Sequence, residues 1–149
     1  MLNPGQPVSI LLAEDDDDDY LLTAYALREA RLLNQLYRVR DGEELMNYLY
    51  RRGQYQDADS WPLPGLILLD LNMPRKDGRD ALAEIKSDAK LRGRPVVVLT
   101  TSRAEEDIVR SYELGVNSFI SKPITFEALV DAIRVLGRYW FEIVQLPLS

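Results

Sequence analysis

The 149-residue chain contains no cysteine and no histidine. Without Cys there is no disulfide framework and no thiolate metal site. Without His there is no His-based triad, no imidazole ligand and no phosphohistidine on this chain. Long apolar runs are missing as well, since none approaches the ~20 residues needed to span a bilayer. The N-terminus, Met1-Leu2-Asn3-Pro4-Gly5, carries none of the basic, apolar and cleavage segments of a signal peptide, so the expected location is cytoplasmic. Basic excess is also lacking. Eighteen Lys+Arg face 24 Asp+Glu, a formal charge of −6. With no basic stripe, direct nucleic-acid binding is not expected.

What is present is local. Residues 14–19 read Glu-Asp-Asp-Asp-Asp-Asp, and outside that run eighteen acids balance eighteen bases. The acidity belongs to one short stretch and not to the whole surface. A hydrophobic fraction of 46% and a charged fraction of 28% are ordinary for a globular protein. The length favours a single domain able to bury roughly two-thirds of its unfolded surface.

Short apolar runs alternate with helical patterns. Val8–Ala13, Leu36–Val39, Leu66–Leu69, Val96–Leu99 and Ser118–Ser121 read as strands, several of them continuously apolar, as strands buried on both faces are. Helical patterns follow each: one through Leu22, Ala26, Leu27 and Ala30, one after Asp41-Gly42, and one over Arg79–Asp88. A fourth opens at the capping box Ser102-Arg-Ala-Glu105 and runs to Gly115, and a long one covers Thr125–Glu142. Gly53–Pro64 reads as a loop or insertion. Five strands alternating with five helices argue a parallel α/β sheet with helices on both faces, and in such sheets ligands sit beyond the carboxyl ends of the strands. Glu14 and Asp15 follow the first strand, Asp70 ends the third, Thr100 the fourth and Lys122 the fifth. All five fall at one edge.

Three carboxylates in one cleft repel by about 4 kcal/mol per pair at ~4 Å and an effective dielectric near 20, so they need a cation or raised pKa values. With oxygen ligands alone the matching ion is hard, Mg²⁺ ahead of Mn²⁺ or Ca²⁺. An aspartate can attack phosphorus and become an acyl phosphate. The transition state then needs charge stabilisation, which Mg²⁺, the Lys122 ammonium and a Thr100 hydroxyl would supply.

On Glu14-Asp15, Asp70 with Asn72-Met73-Pro74, Thr100-Thr101 and Lys122-Pro123, the sequence resembles the response-regulator receiver domains of bacterial two-component signalling. The 30 residues from Asp70 to Thr100 and the 22 from Thr100 to Lys122 match that family's spacing. The resemblance implies a flavodoxin-like (βα)5 three-layer sandwich with strand order 2-1-3-4-5. It implies a phospho-acceptor signalling protein and not an enzyme proper. Asp70 would be phosphorylated by a partner histidine kinase and dephosphorylated in place. Asp15, Asp70 and the Asn72 carbonyl would bind Mg²⁺, with Glu14 acting largely through water. Thr100, Thr101 and Lys122 would surround the phosphoryl group, Lys122-Pro123 would be a cis peptide, and Thr100 with Phe119 would form a switch.

Within the family, LILLDLNMPRKDGRDALAEIKSD and PVVVLTTS resemble single-domain regulators associated with phytochrome kinases. That implies a phytochrome-type kinase as partner. It also implies a homodimer through the fourth helix, fifth strand and fifth helix together with the tail, Trp140, Phe141 and Ile143 included. The expected organisation is an arm over residues 1–7, a receiver domain over 8–142 and an extension over 143–149.

Blander readings stand beside these. Asp16 and Asp17 read as solvated charge, and Asp18 or Asp19 as the cap of the first helix. Phe119 is as readily core as switch, Trp61 is a loop-packing anchor, and the C-terminal aromatics divide evenly between self-packing and dimerisation. An EF-hand loop fails for want of its glycine. A scaffold of the same fold that works without phosphorylation is the alternative function.

Overall fold

The computed structural model describes residues 9–30, 35–71, 73, 78–100, 118–121 and 125–137. In order these form β1 (Ile10–Ala13), α1 (Asp17–Glu29), β2 (Leu36–Val39), α2 (Gly42–Leu49), a 3₁₀ turn (Gly53–Tyr55), β3 (Leu66–Asp70), α3 (Gly78–Ser87), β4 (Val96–Thr100), β5 (Ser118–Ser121) and α4 (Phe126–Gly137). The expected helix from Ser102 to Gly115 lies outside the described residues. The five strands form one sheet in the order β2-β1-β3-β4-β5, every pair parallel. This is the strand order expected of the flavodoxin-like fold.

The period of two along each strand sorts the core into two layers. Leu11, Ala13, Ile67, Leu69, Val96 and Val98 meet Leu45, Met46 and Leu49 of α2 and Ala81, Leu82 and Ile85 of α3 on one face. Ile10, Leu12, Leu66, Leu68, Val97 and Leu99 meet Ala26 and Leu27 of α1 and Leu129, Val130 and Ile133 of α4 on the other. The continuous apolar runs are therefore the record of a sheet covered on both sides. Among the described residues no helix is long and apolar enough to cross a membrane.

Helix starts follow side-chain capping. Asp41 accepts from the Glu44 N–H at 2.7 Å, and Thr125 Oγ1 accepts from the Ala128 N–H at 3.1 Å. Helix α2 ends in a Schellman arrangement. The Arg52 N–H donates to the Asn47 carbonyl at 2.8 Å and the Arg51 N–H to the Tyr48 carbonyl at 3.1 Å, with Arg51 at φ 57°. An arginine takes the left-handed position that glycine fills more cheaply, and its guanidinium donates to the Trp61 carbonyl at 3.3 Å.

The insertion after α2 is packed by aromatic rings. Trp61 stands 5.1 Å from Tyr55, 6.0 Å from Tyr48 and 6.2 Å from Tyr37, ring centre to ring centre. It is the packing anchor its position suggested. The Tyr48 hydroxyl donates to the Pro62 carbonyl at 2.7 Å and the Tyr55 hydroxyl to Glu44 at 2.6 Å. Burial is the first cause that pushes both phenols up, so they stay protonated donors. Since Tyr37 belongs to edge strand β2, the insertion packs on the sheet through its outermost strand. Replacing Tyr48 by Phe strands the Pro62 carbonyl, and about 1 kcal/mol of stability is expected to go. Urea unfolding followed by tryptophan fluorescence measures it.

Candidate functional site

Strand register sets the site. Ala13 pairs with Leu69 and Asp70 with Leu99, so one step beyond Ala13 the chain passes beside Asp70. Glu14 is still tied to the sheet, its N–H donating to the Val39 carbonyl at 2.9 Å. By the period of two, Glu14 follows Ile10 and Leu12, and Asp70 follows Leu66 and Leu68, toward the α1–α4 face. The Leu71 N–H donates to the Leu99 carbonyl at 3.1 Å, which carries the β3–β4 ladder past Asp70. Thr100 ends β4 opposite Ser121 of β5.

The side chains converge. One carboxylate oxygen from each of Glu14, Asp15 and Asp70 lies within 4.8 Å of the other two. Glu14 and Asp70 are buried, at 1% and 4% exposure, whereas Asp15 is open to solvent. At that spacing each ionised pair costs about 3 kcal/mol at an effective dielectric near 20. Two carboxylates from the sheet interior and one at the rim, with hard oxygen donors only, fit a divalent cation that keeps part of its water.

The rest of the acidic run has separate duties, which corrects two expectations. The cap of α1 is Asp16, not Asp18 or Asp19. Its Oδ1 accepts from the Asp19 N–H at 2.9 Å, because the helix begins at Asp17, earlier than its apolar pattern suggests. Asp17 is not idle solvated charge either. Its Oδ1 receives Arg38 at 2.8 Å and Arg40 at 3.2 Å. The hydrogen bond from Arg38, then the charge of Arg40, hold the Asp17 carboxyl below the usual range, so it stays ionised at neutral pH. Asp17 to Asp19 also lie in the first turn of α1, where the helix dipole favours negative charge.

Glycine 78 was missed by sequence reasoning. Its N–H donates to the Leu71 carbonyl at 3.1 Å, which seats the start of α3 on the end of β3. A Cβ there would strike the Asp70 carbonyl oxygen and lie 2.6 Å from the Leu71 Cα. The signal was available in Asp77-Gly78, a turn pair eight residues after Asp70.

Among the other expected site residues, Thr100 and Phe119 are placed in β4 and β5 by their backbones. Asn72, Thr101, Lys122, Pro123, Trp140, Phe141 and Ile143 lie outside the described residues.

Comparison with known proteins gives concordant findings. Residues 10–134 match the model of the response regulator receiver domain. The response regulator Rcp1 of Synechocystis is 43% identical over 141 residues, covering 95% of this chain and 94% of that protein. The phosphorylated cyanobacterial phytochrome response regulator RcpA superposes with a TM-score of 0.83 at 43% identity, covering 93% of this chain and 96% of the other. The Mn²⁺-bound form of Rcp1 superposes with a TM-score of 0.80 at 42% identity, covering 91% and 96%.

The close approach at Gly78 can be tested directly. Gly78→Ala must push the β3 end aside, and a loss of about 2 kcal/mol in urea unfolding is expected. Displaced carboxylate geometry at Asp70 is expected to weaken Mn²⁺ binding in the same variant, measured by calorimetric titration.

Proposed function

Because this chain belongs to the response regulator receiver-domain family, we propose that it accepts a phosphoryl group on Asp70 in a two-component phosphorelay. The observation that carries this reading is the meeting of Glu14, Asp15 and Asp70 within 4.8 Å at the carboxyl edge of the sheet. The chain has no histidine, so the donor is a phosphohistidine on another molecule, a sensor histidine kinase. The phytochrome response regulator among the structural relatives supports a kinase of phytochrome type.

The transfer is a displacement at phosphorus. A carboxylate oxygen of Asp70 forms the new P–O bond while the P–N bond to the donor imidazole breaks, and the imidazole takes up a proton from solvent. Bound Mg²⁺ supplies positive charge against the phosphoryl oxygens. Asp15, Asp70 and the Asn72 carbonyl would hold it directly, with Glu14 acting largely through water. Thr100 would donate a hydroxyl hydrogen bond, small Thr101 would leave room, and Lys122 would bring an ammonium to the phosphoryl group. Hydrolysis of the aspartyl phosphate resets Asp70.

Phosphorylation biases an existing equilibrium between two conformations, with Thr100 and Phe119 as the moving parts. Output passes through protein contacts on the helix that follows Ser102, β5, α4 and the tail, and these form a homodimer. In this reading residues 8–142 are the receiver domain, 143–149 are an extension that supports the dimer, and the protein works in the cytoplasm.

Incubation with Mg²⁺ and a small acyl phosphate, followed by intact mass, is expected to show one phosphoryl group per chain. Asp70→Asn is expected to abolish it. An adduct that survives that substitution refutes Asp70 as acceptor, and unchanged partner affinity on phosphorylation favours the phosphorylation-independent scaffold. Deleting residues 143–149 is expected to shift the dimer toward monomer in light scattering; an unchanged dimer clears the tail of that role.

A further inference from the structure

Arg38 reaches in three directions, and each contact ends on the segment that carries Glu14 and Asp15 or on the helix that follows it. Its Nε donates to the Glu14 carbonyl at 3.0 Å. Its Nη1 meets Asp17 at 2.8 Å. Its guanidinium carbon stands 4.6 Å from the centre of the Tyr20 ring in the first turns of α1. The side chain is only 13% exposed, and Nη2 is buried with no hydrogen-bond partner among the described residues. Burying a guanidinium with a donor unmet is unfavourable, so the three contacts together must outweigh that cost.

From this geometry we infer that Arg38 is a positioning residue for the divalent-metal site. The inference rests on the reading of Glu14, Asp15 and Asp70 as metal ligands. Two of those carboxylates stand on the turn after β1, and the third stands on β3. Their separation therefore depends on how firmly the turn is held against the sheet. The Asp16 cap binds the turn to α1 and not to a strand. Ties on the β2 side among the described residues include the Glu14 N–H to the Val39 carbonyl, Arg38, and Arg40 through Asp17. Among the described residues Arg38 joins β2 to the Glu14 backbone, Asp17 and Tyr20 at once. Its planar fork and flat face are needed for that, and a lysine ammonium offers neither.

Charge alone leads to the opposite expectation. A guanidinium next to carboxylates disfavours a divalent cation, so its removal as a charge would tighten binding. Positioning and repulsion thus differ in sign, and a titration separates them.

The test uses the full chain and Mn²⁺ alone, with free Mn²⁺ read by electron paramagnetic resonance and the fold checked by circular dichroism. Arg38→Gln is expected to bind Mn²⁺ about tenfold more weakly, the size usual for groups that orient metal ligands. Arg38→Lys is expected not to restore it, and the deficit is expected to persist at high salt, where the Debye length falls to about 3 Å at 1 M. Tyr20→Leu removes the ring under the guanidinium with no change of charge, and about threefold weakening is expected, as for a single cation–π contact. Should Arg38→Gln fail to fold, Tyr20→Leu decides alone, and unchanged binding in it overturns the inference. Binding in folded Arg38→Gln as tight as the parent's, or tighter, overturns the inference and leaves the metal site standing. A parent chain that binds no Mn²⁺ overturns both.

Discussion

Mutual repulsion among Glu14, Asp15 and Asp70 is the constraint that organises the carboxyl edge of the sheet. Two of these groups are buried where their charge is poorly hydrated, and the third lies at the rim within reach of both. Like charges held so close repel unless a cation joins them, so the backbone must keep them together against their own field. It does this with interactions that owe nothing to the carboxylates. The β1–β3 register places Glu14 beside Asp70, and apolar layers on both faces lock that register, because a one-residue slip would send every buried side chain into the packing of the opposite layer.

The acidic run then resolves into parts with different partners. Glu14 and Asp15 face Asp70, Asp16 caps α1, and Asp17 is shared by Arg38 and Arg40. What reads in the sequence as a block of like charge is a junction between a strand, a helix and a neighbouring strand. Only part of it is presented to a metal. Asp17 is neutralised by Arg38 and Arg40, which limits the negative field around the carboxylate cluster.

Much of the fold was legible because its strands carry the continuous apolar signature of a doubly covered sheet. Leu66–Leu69 and Val96–Leu99 need no tertiary information to be read so, and the acids and hydroxyls at their ends fall on one edge once the strands are parallel. Family spacing from Asp70 to Thr100 and Lys122 added the expected chemistry to that geometry. The cap of α1 was less legible. Five consecutive aspartates offer nearly equal capping chemistry, and which of them caps depends on where the helix starts. Gly78 went unread for a related reason, since its importance lies in a contact with Asp70 that the chain makes only after β3 and α3 have packed.

By itself the sequence determined the layer architecture, the strand order expected of its family and the identity of the acids at the edge, because hydrophobic period and strand-end position are local properties. Tertiary structure alone decided which acid does what. Arg38 and Arg40 lie more than twenty residues from Asp17, and nothing in the run distinguishes Asp17 from its neighbours until parallel pairing lays β2 beside β1. Charges choose partners by distance in space, and that distance is set by the register of the sheet.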